Sequence, residues 1–343
     1  MKLLHITFHK GCDLDIEYVF KKLGHDIEVM YFDDGETKGG ELYKITHNRA
    51  QKCWEKYKDY FNTFDGIITS DTCPTCRPFL QNNWAKLLIV WVCNRFDYEI
   101  GSEHGDPEFY QLLRDIPNRK NVFIFGYTMI ENVYSTQVKN VNFGDFIIKP
   151  CGKNIKSIDT YKTYTQTQLN ASGSIETPNK FYVPVYHNET ILMNLPEKLK
   201  QLDIDTDCKR FSHITDLLEY QGVICIPYAW STFAFFEMLQ LGIVAFVPTI
   251  RFLIEIFHTG NYWFQQPFYI QQPEILKLSE WYCHEHKELL VFFDSWEDLQ
   301  EKVKTIDYET KTQTILDFSK KHHDEMLSRW NTILEKYITS NET

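Results

Sequence analysis

The feature that most limits what this chain can fold into is a regular alternation of short apolar runs with longer amphipathic ones. Leu3–Phe8, Ile27–Phe32, Asp65–Ser70, Leu87–Cys93 and Asn121–Phe125 read as strands, with a short sixth at Phe146–Lys149. Between them Asp15–Leu23, a polar segment running to Tyr57, Pro78–Lys86, Pro107–Arg114 and Thr128–Tyr134 read as helices, the first stopped by Gly24. Strands that are apolar throughout and separated by helices predict a parallel sheet covered on both faces.

Pro150-Cys151-Gly152 closes this unit, and the polar stretch Lys153–Thr177 reads as a connection. The alternation then resumes. Strands are expected at Phe181–Tyr186, Val223–Pro227, Ile243–Val247 and Leu289–Phe293. Helices are expected over Glu189–Leu202 (broken or restarted at Pro196), His213–Tyr220, Ser231–Leu241 and Ser295–Thr305. Ile315, Phe318, Met326, Trp330, Ile333, Leu334 and Tyr337 recur mostly at three- and four-residue steps, which predicts one long closing helix. The expectation is therefore an α/β protein of two doubly wound Rossmann-like domains, residues 1–152 and 153–310, with a long C-terminal helix over 311–343. At 343 residues, two domains are the natural division.

The net charge of −11 argues against nucleic acid as a partner, because phosphate contacts need clustered Lys and Arg. The opening Met1–His9 is apolar over too few residues for a secretory signal, and no run approaches the roughly 20 apolar residues of a membrane span. A cytoplasmic protein with no signal for membrane association is expected. Nine cysteines without regular spacing suit free thiols in a reducing compartment. Cys73-Pro74-Thr75-Cys76 has redox or zinc spacing, but no second CxxC completes a ligand set. Cys283-His284-Glu285-His286 is another segment able to contribute ligands. A proline turn with two incidental thiols, and no metal or cofactor, is expected.

In doubly wound sheets ligands bind beyond the carboxyl ends of the strands. That rule selects His9, Asp71, Arg95 and Asp97 in the first half, with Asp13 nearby, and Tyr186, Ser231, Thr232 and Arg251 in the second. Ser231 or Thr232 suits a helix N-cap whose free N–H groups could hold a diphosphate. Glu237, inside that helix, could accept two ribose hydroxyls or simply share a solvent face with Gln240. His9, Asp71, Asp97 and Asp13 are rivals for a general base. Arg95 and Arg251 could offset phosphate or acceptor charge, or pair with local carboxylates, Asp97 being two residues from Arg95. His104 lies in an expected loop, where function is commoner than in cores.

The stretch Ile224–Pro248 combines a strand, a Ser/Thr-started helix with an internal Glu, a Gly stop and an apolar strand ending at Pro. It resembles the nucleotide-sugar segment of the GT-B glycosyltransferases. The opening His5-Ile-Thr-Phe-His-Lys-Gly11, followed by a helix and a second strand, is similar to the start of their acceptor domain. The resemblance implies two Rossmann-like domains facing across a cleft, the second holding a UDP- or GDP-sugar and the first a glycan or other hydroxyl-bearing acceptor, without a catalytic metal. Many retaining members carry two acidic residues separated by seven. With the second at Glu237 the first falls at Ala229, so the resemblance implies an inverting branch, or a divergent one such as the exostosin-like or viral enzymes. Two other readings stay open: a nucleotide-sugar epimerase on the same fold, and a two-lobed small-molecule binding protein. A redox role for Cys73 and Cys76 would need a depressed thiol pKa.

Overall fold

The computed structural model describes residues 1–35, 42–100, 105–153, 179–185, 193–259, 270 and 272–342. His104, Tyr186, the start of the helix expected from Glu189 and all but Lys153 of the expected connection lie outside the described residues. The chain divides into two units, Met1–Cys151 with Asp324–Thr343, and Gly152–His323.

Unit 1 is built on five parallel strands, β1 (Lys2–Thr7), β2 (Asp26–Tyr31), β3 (Gly66–Asp71), β4 (Leu87–Val92) and β5 (Val122–Gly126), in the order β2-β1-β3-β4-β5. The crossovers carry α1 (Lys10–Lys22), α2 (His47–Phe61), α3 (Arg77–Gln81) and α4 (Pro107–Arg114), and α5 (Met129–Lys139) follows β5. Every residue of β3 and β4 is buried; β4 is a continuous apolar run, as a strand covered on both faces requires, while β3 ends in the buried polar residues Thr69, Ser70 and Asp71. β2 lies at the sheet edge, and its Tyr31 is half exposed.

Phe146–Lys149, expected as a strand, is not one. Only the Ile148 N–H bonds back to β5, at the Gly126 carbonyl (3.2 Å). The Ile148 and Ile147 carbonyls are taken instead by Trp91 Nε1 (2.7 Å) and Arg329 Nη1 (2.9 Å), so no ladder extends. α3 is shorter than the expected helix: it ends at Gln81, and Asn83 is left-handed at φ 50°.

Unit 2 repeats the strand order with shorter strands: β6 (Phe181–Tyr182), β7 (Thr206–Asp207), β8 (Gly222–Ile224), β9 (Ala245–Pro248) and β10 (Val291–Phe293), all parallel, run β7-β6-β8-β9-β10. Its helices include α6 (Leu195–Lys200), α7 (Phe233–Gln240), α8 (Ile250–Thr259) and α9 (Trp296–Thr305). Pro196 sits in the first turn of α6, where its missing N–H is not needed, so it starts this helix rather than breaking it. The helix expected at His213–Tyr220 is a 3₁₀ helix over Ile214–Glu219.

Two glycines hold α7 in place. Gly242 ends it at φ +68°, and its carbonyl accepts from Thr312 Oγ1 at 3.0 Å. Gly152, also at φ +68°, lies so close beneath α7 that a Cβ there would meet the Phe236 carbonyl oxygen at 2.4 Å. The closing helix, α10 (Tyr308–Glu342), begins a few residues before its expected start at 311. Ile315 is buried in its first half, which counts with unit 2. In its second half Trp330 packs against Phe20, Trp91 and Phe125 of unit 1, with ring centroids 5.3 to 5.6 Å apart. No helix among the described residues is long and apolar enough to cross a membrane.

Candidate functional site

In a sheet with this strand order the connections reverse direction between the first and third strands, and the crevice at their carboxyl ends is the place for a ligand. Each unit has one such point, β1/β3 in unit 1 and β6/β8 in unit 2.

In unit 1 the point gathers His9 and Asp71. His9 is the N-cap of α1. Its Nδ1 accepts from the N–H groups of Gly11 (3.1 Å) and Cys12 (3.3 Å), so the neutral ring carries its proton on Nε2. The His9 N–H donates to Thr7 Oγ1 (3.1 Å), which also accepts from Ser70 Oγ (3.0 Å). Ser70 Oγ in turn lies 2.7 Å from His5 Nε2. Because the Ser70 proton goes to Thr7, His5 donates from Nε2, and the ring is neutral. Burial pushes the His5 pKa down to about 3.

Asp71, the last residue of β3, is 2% exposed and sits at φ 78°, a region few residues other than glycine adopt. Its carbonyl accepts from the N–H groups of Cys93 (2.9 Å) and Asn94 (3.0 Å) beyond the end of β4. Burial raises the carboxyl above the ordinary aspartate value. Hydrogen bonds from Tyr43 and Asn94 pull the other way without offsetting it. One carboxylate oxygen has no hydrogen-bond partner. A strained, buried carboxyl beside a histidine of fixed tautomer is an arrangement that marks functional sites more often than cores. Neither Cys12, beside His9, nor Tyr43 stood out in the sequence.

The other candidates of unit 1 are held elsewhere. Asp97 is fully buried and accepts from Tyr110 (2.8 Å) and Tyr134 (3.4 Å), with Arg95 Nε at 3.1 Å and Lys139 Nζ at 3.9 Å. It acts as a counter-ion joining α4, α5 and the loop after β4, and Arg95 is committed to it. Asp13 pairs with Lys10 in the first turn of α1. Burial pushes the Cys73 and Cys76 thiols up, opposite to what a redox pair needs.

In unit 2 the switch point is a hollow of about 280 Å³, walled by Tyr182, Phe211, Met238 and Trp281, with Thr232 and Arg210 among its polar groups. At the low end of ligand-pocket volumes, it has room for a heterocycle but not for a whole nucleotide sugar. Thr232 is the N-cap of α7, its Oγ1 accepting from the Phe235 N–H at 3.3 Å. The preceding Ser231 is 7% exposed, and its hydroxyl has no hydrogen-bond partner. A helix N-terminus with a spare buried hydroxyl beside an apolar hollow suits an anion attached to a ring. Glu237 is half-buried about 7.5 Å along the α7 axis from Thr232. Arg251 is exposed and held by Asp294 (3.0 Å) and Glu255 (2.6 Å), so it is an ion-pair residue and not a spare cation. Arg210, exposed at the hollow, was not singled out in the sequence; nothing local distinguishes it.

Hollows of about 630 Å³ and 540 Å³ lie instead around Asn194–Thr206 and beside the end of α10, away from either switch point. Among the described residues, Glu280, Cys283 and His286 of unit 2 form a group able to hold a metal ion.

No family model matches the chain, and no curated protein matches it. Solved structures do. A UDP-GlcNAc 2-epimerase from Neisseria meningitidis, bound to UDP-GlcNAc, aligns over 99% of this chain and 100% of its own, with TM-score 0.50 and 10% identity. The UDP-N-acetylglucosamine 2-epimerase of Rickettsia bellii gives 0.49 at 10% identity, covering 99% and 97%. MurG of Acinetobacter baumannii gives 0.48 at 9%, covering 96% and 99%. At such identities the first likeness is one of fold. This chain has the GT-B architecture of two Rossmann-like units and a long C-terminal helix.

Proposed function

We propose that the chain is an enzyme acting on a nucleoside-diphosphate sugar, and that it isomerises the sugar. The observation that carries the first part is the unit 2 switch point. Its apolar hollow accepts the base, and the α7 N-terminus, with Ser231, Thr232 and Arg210, takes the diphosphate. Glu237, half-buried on the same helix, is the candidate to receive the ribose hydroxyls. Full-length likeness of fold to an enzyme named for acting on UDP-GlcNAc supports the choice of ligand class.

The second part rests on His9 and Asp71. Inverting a carbon that bears hydrogen requires that hydrogen to leave as a proton and another to arrive on the opposite face, so a base and an acid are both needed. With Nδ1 occupied by backbone N–H groups, neutral His9 has no lone pair to act as the base and donates only a hydrogen bond from Nε2 toward the sugar, the proton that arrives on the opposite face coming from solvent water. Asp71, once ionised, is the base, and its raised pKa brings it nearer the operating pH than an ordinary aspartate.

The test is incubation with UDP- and GDP-sugars in deuterium oxide without any acceptor. Deuterium on the sugar carbon, lost in Asp71→Asn, supports isomerisation. The transferase reading, favoured by the Ile224–Pro248 pattern, predicts no exchange and turnover only when a hydroxyl acceptor is added. Binding of no nucleotide sugar would defeat both and leave a small-molecule binding protein.

A further inference from the structure

We propose that Glu280, Cys283 and His286 form a binding site for a divalent cation of the zinc type, which fixes one wall of the unit 2 hollow. The segment Ser279–Leu289 is a chain of tight turns. Tyr282 N–H bonds to the Ser279 carbonyl (3.0 Å), His286 N–H to Cys283 (3.1 Å), Lys287 N–H to His284 (3.3 Å) and Leu289 N–H to His286 (2.9 Å). The Cys283 N–H also bonds to the Ser279 carbonyl (2.8 Å), and Cys283 itself is extended (φ −63°, ψ 151°), between the turn at 279–283 and the 3₁₀ turn at His284–His286. These two turns bring residues 280, 283 and 286 together, and their ligand atoms all lie within 4.8 Å of one another.

An ordinary buried Glu–His pair would account for two of the three. The imidazole lies 3.3 Å from a Glu280 carboxylate oxygen. The thiol brought onto the same face is what the pair alone does not explain. A tetrahedral ion with Zn–S, Zn–N and Zn–O bonds of 2.0–2.3 Å spaces its ligands about 3.3–3.8 Å apart. The Glu280–His286 separation already meets this, and the thiolate needs only a small adjustment. The donor set of thiolate, imidazole and carboxylate suits zinc and excludes magnesium and calcium, which take oxygen.

Burial is graded across the site. His286 is fully buried among Phe235, Phe236 and Phe318, Glu280 is 1% exposed, and Cys283 is half-exposed, leaving an entry path and a fourth position for water. The Glu280 main-chain carbonyl lies 2.8 Å from His286 Nδ1 and 3.9 Å from Cys283 Sγ, so an ion bound by Nδ1 and the thiolate replaces both contacts, the ring proton moving to Nε2. Binding releases the Cys283 thiol proton to solvent, so affinity rises with pH.

Trp281, directly after the first ligand, lines the hollow, packs on Phe235 with centroids 5.0 Å apart and donates from Nε1 to the Ala229 carbonyl at 3.0 Å. The Glu280 N–H bonds to the Trp230 carbonyl at 3.0 Å. An ion joining residues 280, 283 and 286 would lock this segment. The assignment stands whether or not the hollow holds a nucleotide.

The experiment is titration of the metal-free full-length protein with Co²⁺ alone, followed by the near-ultraviolet thiolate-to-cobalt absorption. The expected result is a single-equivalent endpoint with a charge-transfer band. The band should vanish in Cys283→Ser, persist in Cys208→Ser (the other half-exposed thiol), and need at least tenfold more Co²⁺ in Glu280→Gln. Nucleotide binding is read separately by calorimetry, so failure of one proposal is distinguishable from failure of the other. Absence of the band in wild type, or its survival in Cys283→Ser, overturns the site.

Discussion

Replacing Gly152 by alanine should dislodge α7, the helix on which the unit 2 reading depends. Two terms contribute. Gly152 has φ +68°, and a residue with a Cβ pays about 1–2 kcal/mol to stand in that region. The new methyl would also lie 2.4 Å from the Phe236 oxygen, 2.5 Å from its carbon and 3.0 Å from the Glu237 nitrogen. These are main-chain atoms that cannot rotate aside, so the helix must move, and overpacking of this kind costs roughly 1–3 kcal/mol more. Gly144 separates the terms: its φ is +74°, but nothing lies within 4 Å of its would-be Cβ. Gly144→Ala should therefore lose only the first term. With about 2–4 °C per kcal/mol for units of this size, Gly152→Ala should melt roughly 4–20 °C lower and Gly144→Ala about 2–8 °C lower. Because the two units can unfold separately, thermal scans should be paired with amide exchange of residues 233–240, faster in Gly152→Ala alone. If Gly152→Ala matches Gly144→Ala in stability and leaves exchange in α7 unchanged, the close approach of residue 152 to α7 is wrong.

Arg210→Ala should weaken binding of a nucleoside diphosphate about tenfold or more, one charge-assisted hydrogen bond being worth about 1.5–3 kcal/mol, and leave the bare nucleoside unaffected; calorimetry with both ligands decides. Acid should destabilise unit 1 through His5. Its pKa is about 3 when folded against 6.5 in the free residue, so below pH 6.5 the unfolded chain binds the extra proton. The stability His5 confers is complete above pH 6.5 and lost as pH falls toward 3, by on the order of 2–3 kcal/mol at about pH 4.5. Urea titrations at both pH values should show a smaller loss in His5→Gln. In metal-free native protein a thiol reagent should modify Cys208 and Cys283 quickly and the seven buried cysteines, Cys73 and Cys76 among them, slowly; fast labelling of Cys73 or Cys76 would restore the redox reading.

The alternation of strands and helices was legible because both signals are local: β4 is an unbroken apolar run, and Gly24 and Gly242 are stops. Phe146–Lys149 misled because its carbonyls are claimed by Trp91 and by Arg329, which is 182 residues away from Ile147. The candidate site divides the same way. Strand ends are local, so His9, Asp71, Ser231 and Thr232 could be named. Asp97 is held by Tyr110 and Tyr134, 13 and 37 residues away, and Arg251 by Asp294, 43 residues away, contacts that no spacing rule reveals, whereas their pairs with Arg95 and Glu255 are local. The hollow is assembled from β6, the segment after β7, β8, α7 and Trp281, so it has no pattern in one dimension. The cap role of His9 has no local signal for a different reason: histidine is not among the residues that usually cap helices.

The second half of α10 belongs to unit 1, and this gives the protein a schedule. As the chain leaves the ribosome, residues 1–151 emerge before Trp330, so Phe20, Trp91 and Phe125 lack that packing partner until residues 152–329 have followed. At cellular synthesis rates, the intervening stretch takes roughly 10–35 s, during which the unit keeps an aromatic surface uncovered. A nascent chain stalled before residue 324 would present that surface to chaperones, and a premature stop in the last helix would injure the domain made first.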